Sequence, residues 1–176
     1  MNSATQAPLT GIRVLITGGT IDKVYHAAEG CLGFERTQVL EMLRQGRVPV
    51  PEECVQTVVL KDSLDMVDAD RAALAAACLA APEERLLITH GTDTMVQTAQ
   101  HLAQGVPGRT IVLTGAMVPF SVSQSDADAQ LRIRARRGGP AAGGRVCRHE
   151  RQRLSVECCA EESRGRLVRE CGGINC

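Results

Sequence analysis

The sequence predicts an α/β fold: a Rossmann-like three-layer domain with a mainly parallel sheet, followed by an irregular C-terminal tail. Three observations predict it. Four short runs rich in β-branched residues and leucine (Ile12 to Ile16, Val55 to Leu60, Leu86 to Thr89 and Ile111 to Thr114) recur at gaps of about 20 to 40 residues. Helical patterns or long loops fill the gaps, which implies parallel neighbours joined by right-handed crossovers. Three of the four runs end at or near glycine, at Gly18, Gly91 and Gly115, and in such sheets ligands sit outside the carboxyl ends of the strands.

In chain order, Ile12 to Ile16 is the first strand, and Asp22 to Gly33 is a glycine-containing loop. From Gln38 to Gln45 the residues Val39, Leu40, Met42 and Leu43 form an apolar helical stripe that Gly46 ends. The prolines of Val48-Pro49-Val50-Pro51 bar a helix there. Val55 to Leu60 is the second strand. Asp68 or Asp70 can cap the alanine-rich helix that runs to Ala81, and Pro82 stops it. Leu86 to Thr89 is the third strand, a helix runs from Thr94 to Gln104 before Gly105, and Ile111 to Thr114 is the fourth strand.

With 176 residues the chain can bury one real core but not two. Its aromatics are only Tyr25, Phe34 and Phe120, so that core must be aliphatic. The net charge of zero conceals a division: residues 1–130 hold 9 Lys+Arg against 15 Asp+Glu, and residues 131–176 hold 11 against 5. Met1 to Pro8 is polar without a basic start, so no signal peptide is expected, and no run of 18 apolar residues predicts a membrane span. Cys31, Cys54 and Cys78 stand singly as reduced thiols, which places the expected location in the cytoplasm. Thr17-Gly18-Gly19-Thr20 lacks the third glycine of a dinucleotide fingerprint, and no Gly-Lys-Ser/Thr follows. Neither a nucleotide nor any other cofactor is expected.

Two polar turns at strand ends concentrate the chemistry. After Leu86 to Thr89 comes His90-Gly91-Thr92-Asp93-Thr94-Met95, where hydroxyl, carboxylate and unpaired helix N–H groups converge. After Ile12 to Ile16 comes Thr17-Gly18-Gly19-Thr20-Ile21. An isolated Thr-Asp pair is ordinarily a helix cap; the second turn changes that assessment. Together the turns resemble the paired signatures of bacterial-type L-asparaginases. Asp62-Ser63-Leu64-Asp65-Met66 and Thr114-Gly115-Ala116-Met117-Val118-Pro119, leading to Ser125-Asp126, are weaker matches. The resemblance covers residues 11 to 128, with a loop and a Leu64 like those of the short cytoplasmic-type members.

The resemblance implies hydrolysis of L-asparagine to L-aspartate and ammonia by a threonine nucleophile. Thr20 would be the attacking hydroxyl and Tyr25, on a mobile loop, its hydrogen-bonding activator; outside the family, Tyr25 would read as a loop aromatic packed on the sheet edge. Thr92 and Asp93 would form the second half of the site, with Asp93 pairing with the substrate ammonium and Ser63 contacting its carboxylate. Backbone N–H groups near Gly19, Thr20 and Thr92 would hold the oxyanion, each worth ~3 kcal/mol when well aimed; Gly91 would be a substrate-binding position, and the Ala116 carbonyl would meet the leaving amide. His90 reads as structural, held by backbone contacts. The partner implied is a small-molecule amide; no membrane or nucleic-acid partner is expected, and the family's tendency to associate leaves a homo-oligomer open.

After Asp128 the character changes. Residues 131–176 contain 11 arginines and no lysine, 5 of the 8 cysteines, and glycine pairs at 138–139, 143–144 and 172–173. A basic tail for anionic partners is one reading. Cys147, His149, Cys158, Cys159, Cys171 and Cys176 fit none of the usual zinc spacings, so no metal is expected. A third reading, translation in a shifted frame of GC-rich DNA from about 128–129, fits the composition best. Reading Ala129 to Ala135 one base later, with GC-rich codons, gives Leu, Asn, Phe, Gly, Phe, Ala, an apolar helix start like the one asparaginases have there. By the resemblance a lysine supplied further on completes Thr92 and Asp93; here the only lysines are Lys23 and Lys61. The expectation is a domain at 1–128, an aberrant tail at 129–176, and turnover slowed ~10²–10⁴-fold. Sequencing the gene tests this: a shifted frame continuing the family pattern past codon 128 is expected, and a homologous open frame ending at 176 removes the idea.

Overall fold

The computed structural model describes residues 11–127, 129–131, 135 and 146–147. The polar N-terminus and most of the arginine- and cysteine-rich tail fall outside them; of the tail's candidate metal ligands, only Cys147 is described, and it lies in a strand. The described chain runs β1 (Ile12–Gly18), β2 (Val24–His26), β3 (Cys31–Gly33), α1 (Val39–Gln45), β4 (Val55–Lys61), α2 (Asp68–Ala80), β5 (Arg85–Thr89), α3 (Met95–Gly105), β6 (Thr110–Thr114) and β7 (Val146–Cys147). Single 3-10 turns at Thr20–Asp22, Glu52–Cys54 and Ser63–Asp65 join some of these. The main sheet has the order β4-β1-β5-β6-β7, and every neighbouring pair is parallel. The α/β class and the four expected strands are therefore present.

Register explains the layers. Val14 lies beside Leu87, and Leu87 beside Val112; Leu15 lies beside Ile88, and Ile88 beside Leu113. Because side chains alternate along a strand, the first row faces one side and the second row the other. Ile12, Val14, Ile16 and Leu87 pack against Val39, Met42 and Leu43 of α1, together with Ala127, Leu131 and Ala135. Leu15, Leu86, Ile88, Ile111 and Leu113 pack against Leu74 and Cys78 of α2 and Met95, Ala99 and Leu102 of α3. Near-continuous apolar strands such as Leu86 to Ile88 are the signature of a sheet covered on both faces. Leu131 and Ala135 are 0% and 1% exposed, so this core includes side chains beyond residue 128.

The helix ends follow local chemistry. Val67, not either expected aspartate, occupies the cap of α2; Asp70, at the third helical position, reaches back to accept the Val67 N–H at 2.9 Å. Val67 first, and then the Lys61 ammonium, hold the Asp70 carboxyl below the ordinary carboxylate range. Asp22 to Gly33 differs from the expected loop, for it contains the antiparallel pair β2–β3, with Val24 opposite Gly33, Tyr25 opposite Leu32 and His26 opposite Cys31. Gly30 closes its turn at φ +67°, with its N–H donated to the His26 carbonyl at 2.8 Å. Cys31, Cys54 and Cys78 are free thiols, and no helix among the described residues is long and apolar enough to cross a membrane.

Ile88 is fully buried in a strand with neighbours on both sides. Ile88→Ala is therefore expected to destabilise the domain by about 2–5 kcal/mol, read as a fall in the urea midpoint with an unchanged slope.

Candidate active site

The sheet order itself selects the site. From β1 the chain crosses to β4 on one side, then returns to place β5 on the other. At such a reversal the connections leave the two central strand tips in opposite directions and open a crevice between them. The turns expected to carry chemistry are the ones that follow β1 and β5.

Backbone contact brings those turns together. Gly19 has φ +82°, a conformation that L side chains rarely adopt, and a β-carbon there would lie 2.3 Å from the Gly91 nitrogen. A β-carbon on Gly91 would lie 2.5 Å from Ser63 Oγ. The Gly19 N–H donates to the Lys61 carbonyl at 2.9 Å, and Thr94 Oγ1 donates to the Ser63 carbonyl at 2.7 Å. Three segments distant in sequence thus meet at one point: the β1 turn, the β4 turn and the β5 turn. Thr20, opening a 3-10 turn, and Thr92 are both half-buried beside this contact.

The other expected residues are placed as follows. Ser63 is 1% exposed and its hydroxyl has no hydrogen-bond partner among the described residues. Asp93 is exposed, and its carboxylate forms no hydrogen bond or ion pair with a described residue. Thr92 Oγ1 reaches Met117 Sδ at 3.9 Å, a weak link to the loop after β6. Ala116 is buried in that loop. Tyr25 stands 62% exposed on the hairpin, opposite Leu32, and makes no hydrogen bond to Thr20.

Several contributors went unnoticed in the sequence. Asp126 accepts the Met117 N–H at 3.1 Å and the Val118 N–H at 3.1 Å, while Ser125 Oγ donates to the Val118 carbonyl at 2.7 Å. These bonds hold the Ala116 loop; the Ser125-Asp126 pair was visible as a motif, but not its task. Lys23 is ion-paired with Asp62 and lies 5.8 Å over the Phe34 ring, tying the hairpin to the Ser63 turn. That ammonium, foremost, holds the Asp62 carboxyl below its ordinary range. Lys61 contacts both Asp70 oxygens at 2.9 Å. Both lysines upstream of the tail are thus engaged with carboxylates.

His90 has the structural role expected of it. Fully buried, it lies with Nδ1 2.7 Å from the Gly91 carbonyl and Nε2 2.8 Å from Thr98 Oγ1. A carbonyl can only accept, so Nδ1 carries the proton and Nε2 accepts from the threonine. Burial lowers its pKa and keeps the ring neutral. Thr98, a hydroxyl on the apolar face of α3 between Met95 and Leu102, was the available signal.

The chain is thus an α/β domain whose candidate site lies at the carboxyl edge of a parallel sheet. Residues 11–135 match the family model described as asparaginase, N-terminal, and the chain belongs to the asparaginase family. The thermostable L-asparaginase from Thermococcus kodakarensis is a structural relative at 27% identity and a TM-score of 0.60, covering 76% of this chain and 43% of that one. A probable cytoplasmic L-asparaginase from Campylobacter jejuni matches at 26% identity and a TM-score of 0.61, over 77% of this chain and 44% of that one. L-asparaginase I from Vibrio cholerae, at 24% identity and a TM-score of 0.57, covers 70% and 39% and shares the fold. The chain spans less than half the length of each. A comparison with curated proteins gave no match.

One buried carboxyl near the site yields a pH prediction. Asp22 is fully buried; its Oδ1 accepts from Thr37 Oγ1 at 3.0 Å and the Gln38 N–H at 2.6 Å, while Oδ2 has no partner among the described residues. Burial outweighs the two donors and pushes the carboxyl up to about 6, from 3.8. The folded chain therefore binds this proton more tightly than the unfolded one, and stability is lost as pH rises from about 4 to about 6. Asp22→Asn keeps an acceptor for both donors and removes the charge. It is expected to stabilise the protein by roughly 3 kcal/mol at pH 7.5 and little at pH 4, measured as denaturation midpoints at the two pH values.

Proposed function

We propose that this chain is an L-asparaginase-like amidohydrolase that hydrolyses L-asparagine to L-aspartate and ammonia through a threonine acyl-enzyme. The observation that carries the reading is the Gly19–Gly91 contact, which sets the Thr20 and Thr92 turns on either side of the crevice between β1 and β5. Family membership and the names of the Thermococcus and Campylobacter relatives support the substrate class.

In this reading the Thr20 hydroxyl attacks the side-chain amide carbon. A C–O bond forms, the C–N bond breaks, and the hydroxyl proton leaves with the nitrogen as ammonia. Water then cleaves the ester, releasing aspartate and restoring Thr20. The Gly19 N–H is committed to the Lys61 carbonyl, so the N–H groups of Thr20 and Thr92 are the oxyanion donors, with Gly91 a substrate-binding position of the same turn, and the Ala116 carbonyl receives the leaving amide. The uncommitted carboxylate of Asp93 suits a substrate ammonium, and the unpartnered Ser63 hydroxyl suits a substrate carboxylate. Tyr25 serves as activator once its hairpin turns inward. Residues 1–128 bear the site, Leu131 and Ala135 complete their core, and the remainder of 129–176 is the aberrant tail. A cytoplasmic location belongs to the same reading, in keeping with the free thiols.

The pairing of both lysines favours a second reading, an inactive remnant whose arginine-rich tail binds anionic partners nonspecifically. Ammonia release separates the two. Purified 1–176 is expected to release ammonia from asparagine ~10²–10⁴-fold more slowly than a relative with the downstream lysine. Thr20→Ala should abolish that release, and Thr92→Ala should cut it by a further ~10²-fold. Release unaltered in both variants would overturn the threonine mechanism; no release from the unaltered chain, with a salt-sensitive shift on nucleic acid, would establish the second reading.

A further inference from the structure

The buried His90–Thr98 pair sits directly beneath the β5 turn and takes no part in the chemistry above. Its main chain is fixed to the sheet, for the His90 N–H donates to the Thr114 carbonyl at 2.8 Å and so extends the β5–β6 ladder. Its ring is fixed from both sides. Thr98 Oγ1, projecting from the second turn of α3, donates to Nε2 at 2.8 Å, and Nδ1–H donates to the Gly91 carbonyl at 2.7 Å. Met95, Ala99 and Leu102 on the same helix are fully buried, so α3 offers the ring a rigid mount.

The consequence lies in the next peptide bond. The described chain has no cis peptide, so the Gly91 carbonyl and the Thr92 N–H point in opposite directions within one plane. Gly91 has no side chain to hold that plane, and neighbouring Ser63 leaves no room for one. What sets its rotation is the hydrogen bond from the ring. With the carbonyl drawn toward a fully buried imidazole, the Thr92 N–H points the opposite way, away from the ring.

We infer that His90, oriented by Thr98, is a positioning residue that rotates the Gly91–Thr92 peptide so that the Thr92 N–H serves as an oxyanion donor. This deepens the asparaginase reading and rests on it. The ring transfers no proton in the reaction; its one task is a neutral Nδ1–H donor at a fixed place. An asparagine side chain can set its amide near the position of Nδ1, whereas a glutamine reaches instead toward Nε2, so the two replacements separate orientation from mere filling of the space.

The test uses the full 176-residue chain and two readouts. In ammonia release from asparagine, His90→Gln is expected to lower kcat by roughly 10²-fold with KM little changed, the cost of a misplaced donor. His90→Asn is expected to recover most of that loss. Thr98→Val, which keeps shape and removes the hydroxyl, should lower kcat, and Thr98→Ser should restore it. Equal losses in His90→Asn and His90→Gln, or a wild-type rate in Thr98→Val, would overturn the inference. Nitrogen-15 NMR decides it independently of turnover. The unaltered chain should show a slowly exchanging His90 Nδ1–H and a Thr92 amide resonance that moves in His90→Gln but not in His90→Asn. An unmoved Thr92 amide in both variants overturns the inference even in an active enzyme. An inactive chain with the expected amide shifts sinks the asparaginase reading while leaving the His90 geometry standing.

Discussion

Where Gly19 meets Gly91, two strand tips touch through bare backbone. A methyl group on either residue would collide, on Gly19 with the Gly91 nitrogen and on Gly91 with the Ser63 side chain. The rest of the site depends on that approach. It draws the Ser63 turn under the β5 turn and sets Thr20 beside the same crevice as Thr92. The strands that drive it are held by ordinary means. Apolar rows such as Leu15-Ile88-Leu113 are buried between the sheet and its helices, each side chain contributing ~1.5–3 kcal/mol relative to exposure. Packing energy in the body of the sheet thus maintains a close contact at its edge that would be hard to sustain alone.

Polar groups around the tips divide into two kinds. Some are spent on architecture: Asp126 on the Met117 and Val118 amides, His90 on the Gly91 carbonyl, and Asp70 on Lys61 and Val67. Others have no partner among the described residues: the Asp93 carboxylate, Asp22 Oδ2 and the buried hydroxyls of Ser63, Thr89 and Thr114. A buried hydroxyl without a partner costs roughly 1–3 kcal/mol. Such a cost is expected where a ligand supplies the missing contact, and of these groups Ser63 and Asp93 lie in the turns that follow β4 and β5.

Much of this was legible in the sequence, and the parts that were not share a cause. Buried parallel strands announce themselves as continuous apolar runs, so Leu86 to Thr89 and Ile111 to Thr114 could be bounded within a residue. The β2–β3 hairpin could not. Its strands are three residues each and their larger side chains, Tyr25 and Leu32, are exposed, so no core imposes an alternation. Asp62, Ser63 and Asp126 were visible as motif residues, yet the Lys23 pairing and the support of the Ala116 loop are long-range facts that no local spacing encodes. Thr98 was hidden differently: one hydroxyl in an apolar stripe looks like tolerance until a buried acceptor is found beside it.

A site floored by unadorned main chain has little that mutation can tune. Replacing Gly19 or Gly91 damages the scaffold before it alters preference, so inherited variation in what the crevice accepts is pushed outward to its rim. Leu32, Leu64 and Met117, on three separate segments, stand well exposed and contribute little to the core. Divergence in this lineage would therefore be written in loop side chains, with the floor nearly silent, and two members with identical strand tips could still prefer different amides.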